Sequence, residues 1–167
     1  MTQESNYTRD DQITAYHEAG HAVIACRLGW DIKEITIQRS TYSAGYMKWT
    51  DNNEGKPKDE RVIFTFAGQV AQNKFLNQQY KDIFKSIKFE GLNKTSDLFK
   101  VNDLIAQIMG YRSSMECFDD KKHDMLFNKY YTHTISLVED NWKYIKRVAQ
   151  LLLEKKTILG EEMIRIL

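Results

Sequence analysis

Five consecutive residues constrain this chain more than any others: His17-Glu18-Ala19-Gly20-His21, a match to the pattern HExxH. The pattern has chemical meaning on a helix, where positions i and i+4 share one face and both imidazoles reach one point. The flanking residues agree. From about Asp11 to Leu28 the sequence reads as a capped amphipathic helix, with Asp10 or Asp11 as the cap and Gly29 as the stop. Whatever the fold, it holds a helix here and leaves one of its faces open to a ligand.

The rest of the chain is arranged around that helix. Ile32, Ile35 and Ile37 mark a short β-branched strand, and Gly45 to Thr50 a second one that pairs with it as a hairpin or edge ribbon. Asp51 to Lys58 reads as a polar turn. Pro57 suits the first turn of the next helix, roughly 58–77, whose apolar stripe is Val62, Ile63, Phe66, Ala67 and Val70. A short helix is expected at 81–89 and a loop at 91–94. Thr95 or Ser96 caps a helix running to about Met109. Residues 110–120 read as irregular. From about Asp120 to Lys156 the pattern is helical, as one long helix or a helical pair, and Gly160 to Leu167 forms a short last helix. The expectation is a mostly α fold with a small β element (α+β), with residues 1–10 a flexible lead-in and 11–167 one domain.

Composition narrows the function classes. The 167 residues include 42% apolar and 28% charged residues, an ordinary globular balance. A net charge of +1 gives no bulk attraction to nucleic acid or an anionic membrane. No apolar run approaches the roughly 18 residues of a membrane span. The polar Met1 to Asp11 segment lacks a signal-peptide core. Cys26 and Cys117 form no close-spaced motif and read as two reduced thiols, so a cytoplasmic location is expected.

The HExxH residues supply specific chemistry. Imidazole nitrogen binds zinc at about 2.0–2.1 Å. Zinc lowers the pKa of bound water to about 7 and polarises a carbonyl, and Glu18 stands beside it as the general base. Ala19 and Gly20 are small, which leaves room for ion and substrate against the helix. A helix-interior glycine costs roughly 1 kcal/mol relative to alanine, so Gly20 implies a close approach.

A catalytic zinc needs a third protein ligand and an open position. The extended pattern HExxHxxGxxH is excluded, because position 24 is Ile and position 27 is Arg. His123, His133 and the carboxylates remain. Asp97 shares a helical stripe with Val101, Leu104 and Ile108, whereas Asp103 is turned away by about 120° and reads as solvated. A carboxylate on an apolar stripe calls for a cation or for several N–H donors, and either a metal ion or the first turn of its own helix would supply them. A structural zinc site would want four ligands, often cysteine, but Cys26 falls about 140° around the helix from His21.

The segments Ala15-Tyr16-His17-Glu18-Ala19-Gly20-His21-Ala22-Val23 and Thr95-Ser96-Asp97 with Leu104 resemble the peptidase domain of the FtsH-type AAA zinc metalloproteases. Weaker likenesses lie between them and after them. Lys33-Glu34-Ile35-Thr36-Ile37-Gln38-Arg39 is similar to the strand after the zinc helix, and Ala44-Gly45-Tyr46 to the edge strand bordering the substrate groove. Phe66-Ala67-Gly68-Gln69-Val70-Ala71-Gln72 is similar to a helix with a small-Gly-x-x-Ala pattern, and Thr157 to Leu167 to the closing segment. The resemblance covers about residues 11–167. It implies one Zn²⁺ held by His17, His21 and Asp97, with Glu18 as base.

The family joins this domain to membrane spans and an ATPase. No GxxxxGK[ST] loop occurs in this sequence. The leading expectation is therefore an ATP-independent zinc endopeptidase acting on unfolded protein or peptides, held in extended form along Gly45, Tyr46 and Met47. The competing class is a non-catalytic peptide-binding or regulatory module that partners an AAA protease. Family peptidase domains form rings, so a homo-oligomer or an AAA-type partner is the assembly to look for.

Overall fold

The computed structural model describes residues 7–39, 44–50, 55–78, 96–117 and 121–167. The elements expected at 81–89 and 91–94, the cap alternative Thr95 and part of the polar turn at 51–54 lie outside the described residues.

Helix α1 (Arg9–Arg27) carries the HExxH residues. Its cap is Thr8, not Asp10 or Asp11: Asp11 N–H donates to the Thr8 hydroxyl, and the Asp11 carboxylate accepts from Thr8 N–H. Thr8 precedes the apolar pattern by more than a turn, which is why periodicity starts the helix too late. At the far end Gly29, at φ 73°, takes the left-handed turn while Trp30 N–H reaches back to the Ala25 carbonyl.

The amphipathic reading of α1 needs correction. Every residue from Glu18 to Ala25 is buried, so the second half of the helix is covered well beyond one apolar stripe. It packs most extensively on α2 (Lys58–Phe75) and on α5 (Trp142–Lys155). The crossing with α2 is close. A Cβ on Gly20 would lie 2.5 Å from the Ala67 carbonyl oxygen and 2.6 Å from Ala71 Cβ. Gly20 therefore admits the neighbouring helix, not the ion or the substrate.

The remaining helices are α3 (Asp97–Ile108), α4 (Lys121–Asp140) and α6 (Gly160–Ile166), with a 3₁₀ turn at Ser114–Glu116. The long helical stretch is a pair, broken at Asn141, whose side chain turns back to the Leu137 carbonyl. The six α-helices of the described residues thus surround a core in which Phe66 meets the rings of Phe127 and Tyr131 edge-on at 4.9 and 5.1 Å.

The β element is larger than a hairpin. Strand β1 (Ile32–Thr36) pairs antiparallel with β2 (Tyr46–Trp49) on one side and with β3 (Thr157–Leu159) on the other. Three residues carry too little periodicity to mark β3 in sequence. It forms because Lys156 ends α5 in the left-handed region at φ 67° and turns the chain back along β1. The Thr36 and Thr157 hydroxyls lie 2.8 Å apart across that pair. β2 is left at the sheet edge, facing the open side of α1. No described helix is long and apolar enough to cross a membrane.

Candidate metal centre

The 80-residue separation between His17 and Asp97 closes to a contact. Nε2 of His17 and Nε2 of His21 each lie 3.1 Å from Asp97 Oδ2, and 3.1 Å from one another. Helix α1 sets the two imidazoles one turn apart. Ser96 caps α3 by accepting the Phe99 N–H, which leaves Asp97 as the first helical residue, aimed across at α1. Both readings open for Asp97 are thus separated: the cap is Ser96, and the Asp97 carboxylate faces the imidazoles. Asp103, expected to be solvated, is instead half-buried and accepts the Ser114 N–H at 2.8 Å.

The outer atoms of the imidazoles fix their chemistry. His21 Nδ1 lies 2.8 Å from the Phe64 carbonyl oxygen. A carbonyl only accepts, so Nδ1 carries the hydrogen and Nε2 of the neutral ring presents a lone pair. His17 Nδ1 likewise donates to Gln72 Oε1 at 3.1 Å. Three lone-pair atoms therefore converge on one point. A single proton lies along one of the three contacts and leaves the other two unsatisfied, whereas a cation above the triangle is shared by all. Ligands about 2.0–2.1 Å from a tetrahedral zinc stand about 3.3 Å apart, close to the separations found. His17, His21 and Asp97 are the group of metal-ligating side chains found together among the described residues.

Electrostatics follow from burial and charge. Burial pushes the Asp97 carboxyl up, but a proton shared with His17 or His21, and the positive charge it brings, outweigh it and hold the group far below the ordinary carboxylate range. Burial pushes the His21 ring down, and the bond and charge of Asp97 more than reverse this. Lys100 Nζ sits 2.9 Å from Asp97 Oδ1, the oxygen turned away from the imidazoles. Burial raises the Glu18 carboxyl above its ordinary value, against the charges of His21 and His17.

All these groups line one cleft of about 760 Å³. One wall is the sheet edge, with Gly45, Tyr46, Met47 and Trp49; the opposite wall is α3 with Phe99 and Leu104. Gly45 touches Glu18: a Cβ there would sit 2.8 Å from Glu18 Oε1. His123 is buried in the first turn of α4 and His133 is exposed on the same helix; neither joins the cluster. Both cysteines lie outside it, and burial pushes the Cys26 thiol up to about 11.

Sequence reasoning missed the outer layer. Gly68 is the clearest case, since a Cβ there would meet His21 Nε2 at 2.2 Å. Gly68 and Gln72 are one turn apart on α2, and that small-then-polar spacing was the available signal. The role of the Phe64 carbonyl leaves no trace in residue type.

No protein-family model matches the chain. It is 25% identical to the ATP-dependent zinc metalloprotease FtsH 1 of Thermoanaerobacter sp. (strain X514), over 95% of this chain and 30% of that protein. It is 28% identical to the ATP-dependent zinc metalloprotease FtsH of Lachnoclostridium phytofermentans, over 95% and 30%. The mitochondrial inner membrane m-AAA protease component AFG3L2 of Mus musculus matches at 23%, over 95% and 22%. The chain spans less than a third of the length of these curated relatives. The matches support a relation to the FtsH family of zinc metalloproteases.

Proposed function

We propose that this chain is a zinc-dependent endopeptidase whose metal is held by His17, His21 and Asp97. The observation that carries the reading is the mutual 3.1 Å convergence of three atoms that all offer lone pairs. The donor set is two imidazoles and one carboxylate, three protein ligands with a fourth direction open to the cleft, as catalytic zinc requires. When bound there, zinc would lower the pKa of water and polarise a carbonyl.

The chain's own groups do the rest. Glu18 reaches the same space from the helix turn between the two imidazoles, and its carboxylate takes a proton from the attacking water. Its raised pKa brings it nearer to working pH, which suits a group that must also give that proton to the leaving amine. Gln72 and the Phe64 carbonyl hold the imidazoles in the tautomer that points Nε2 inward. The edge of β2, unpaired among the described residues, offers main-chain groups to an extended peptide, and Gly45 leaves Glu18 the space that a side chain there would take.

The decisive variant is Glu18→Gln. Zinc binding is retained, and peptide cleavage falls by at least about 10²–10⁴-fold, the usual worth of a general base. Cleavage at the parent rate would remove Glu18 from the mechanism.

A further inference from the structure

The cleft contains a cation that the proposed chemistry does not use. Its other charged groups are engaged: Glu18 and Asp97 face the metal centre, Lys100 pairs with Asp97, and Asp103 accepts the Ser114 N–H. Arg61 is half-buried in the same cleft, and its guanidinium has no ion-pair or hydrogen-bond partner among the described residues. Its acidic neighbours on α2 are taken. Asp59 accepts from the Tyr130 hydroxyl and Glu60 from the Trp30 indole N–H. A guanidinium offers a planar fork of donors that matches a carboxylate with two parallel hydrogen bonds.

Its place along the cleft follows from the two walls. Arg61, Gly68 and Gln72 lie on one stripe of α2, and at about 1.5 Å rise per residue Arg61 stands about 10 Å from Gly68, which abuts His21. Along the sheet-edge wall the chain passes Glu18 at Gly45 and β2 ends at Trp49, about 13 Å on at roughly 3.3 Å per residue. Trp49 packs on Phe64 at 5.2 Å, one turn from Arg61. Both measures put this end of the cleft three or four extended residues from the metal centre. A peptide added antiparallel to β2, the more stable pairing, runs from Trp49 toward Gly45, so its residues at that end precede the scissile bond.

Resting on the peptidase reading above, we propose that Arg61 is a specificity-determining residue that binds a carboxylate of the substrate. The source is an Asp or Glu side chain three or four positions before the cleaved bond. The substrates are thus acidic extended segments, the carboxylate on the Arg61 side and an apolar stretch against Trp49, Phe64 and Met47.

The test uses the zinc-loaded full chain and neutral peptides with blocked ends, in which one Glu is stepped through successive positions. A second set has a free C-terminal carboxylate. Cleavage sites are mapped by mass spectrometry, and kcat and KM are separated. Glu at the anchoring position raises kcat/KM about tenfold over Gln, mainly through KM, because the contact is made equally before and during the reaction. In Arg61→Gln the Glu-to-Gln ratio falls to about one, and in Arg61→Glu the preference passes to Lys. A preference for the free C-terminus that disappears in Arg61→Gln also upholds the anchor, and shows the peptide running parallel to β2. No acidic preference in the parent, or one that survives in Arg61→Gln, overturns the proposal.

Binding of the same peptides to Glu18→Gln, read by fluorescence anisotropy, separates the two readings. Selective binding lost on adding Arg61→Gln, with no peptide cleaved by the parent, would refute the peptidase and leave the anchor standing. Cleavage without selectivity would do the reverse.

Discussion

Each imidazole of the centre is fixed at both nitrogens, and that makes the site sensitive to atoms outside the HExxH residues. Gly68→Ala puts a methyl where His21 Nε2 lies, 2.2 Å away, so the ring must swing off the shared point. Zinc affinity should fall about 10- to 100-fold, as when an outer partner of a ligand is lost, while the helical circular dichroism is kept. Zinc titration checks this, and parent affinity in Gly68→Ala would show that His21 does not need its present position. At this scale the sequence was legible where partners share one helix. His17 and His21 were readable from i, i+4 spacing, and Asp97 stood out as a carboxylate on an apolar stripe. Gly68, Gln72 and the Phe64 carbonyl were not, because their role depends on where α2 passes α1. Asp103 was misjudged for the same reason: its partner is the Ser114 backbone, supplied by the turn after α3.

Among the elements, α1 carries the site and is also the most enclosed, so its ends and crossings set how firmly the imidazoles are held. Thr8→Ala removes the hydroxyl that accepts the Asp11 N–H, at about 1 kcal/mol. For a chain of this size that lowers the thermal midpoint by about 2–4 °C, and an unchanged midpoint would show that the cap contributes nothing. Hydrogen bonding to Thr8 holds the Asp11 carboxyl below its ordinary value. A lowered carboxylate stabilises the fold at pH above its unfolded value, and that contribution is lost as pH falls through the folded value. The deficit of Thr8→Ala in denaturant melts should therefore narrow toward acid. Gly20→Ala acts at the crossing instead. Its methyl meets the Ala67 carbonyl at 2.5 Å, backbone that cannot move aside alone, so α1 and α2 must separate at about 1–3 kcal/mol. Element types were readable over long periodic stretches, whereas β3 was not. It owes its existence to pairing with β1 rather than to any pattern in Thr157–Leu159.

At the scale of the whole molecule, the centre ties together α1 and α3, elements far apart in sequence, so an ion bound there stabilises the fold as well as the site. Any ligand that binds only the folded state adds about 2.7 kcal/mol at a free concentration 100 times its Kd. Removing zinc with a chelator should lower the thermal midpoint by several degrees, reversibly on adding zinc back, and an indifferent midpoint would mean that the ion is not held by the folded chain. The mostly α architecture was readable as a whole, because long helices announce themselves by period. The enclosure of α1 was not, since it depends on how α2 and α5 flank it. Three side chains sharing one cation are the heart of the proposed chemistry, and calorimetric titration of zinc into the metal-stripped chain tests this most directly. One ion per chain is predicted for the parent, and affinity weakened about 100-fold or more in Asp97→Ala with helical content unchanged. Equal affinity in Asp97→Ala, or no binding by the parent, would contradict it.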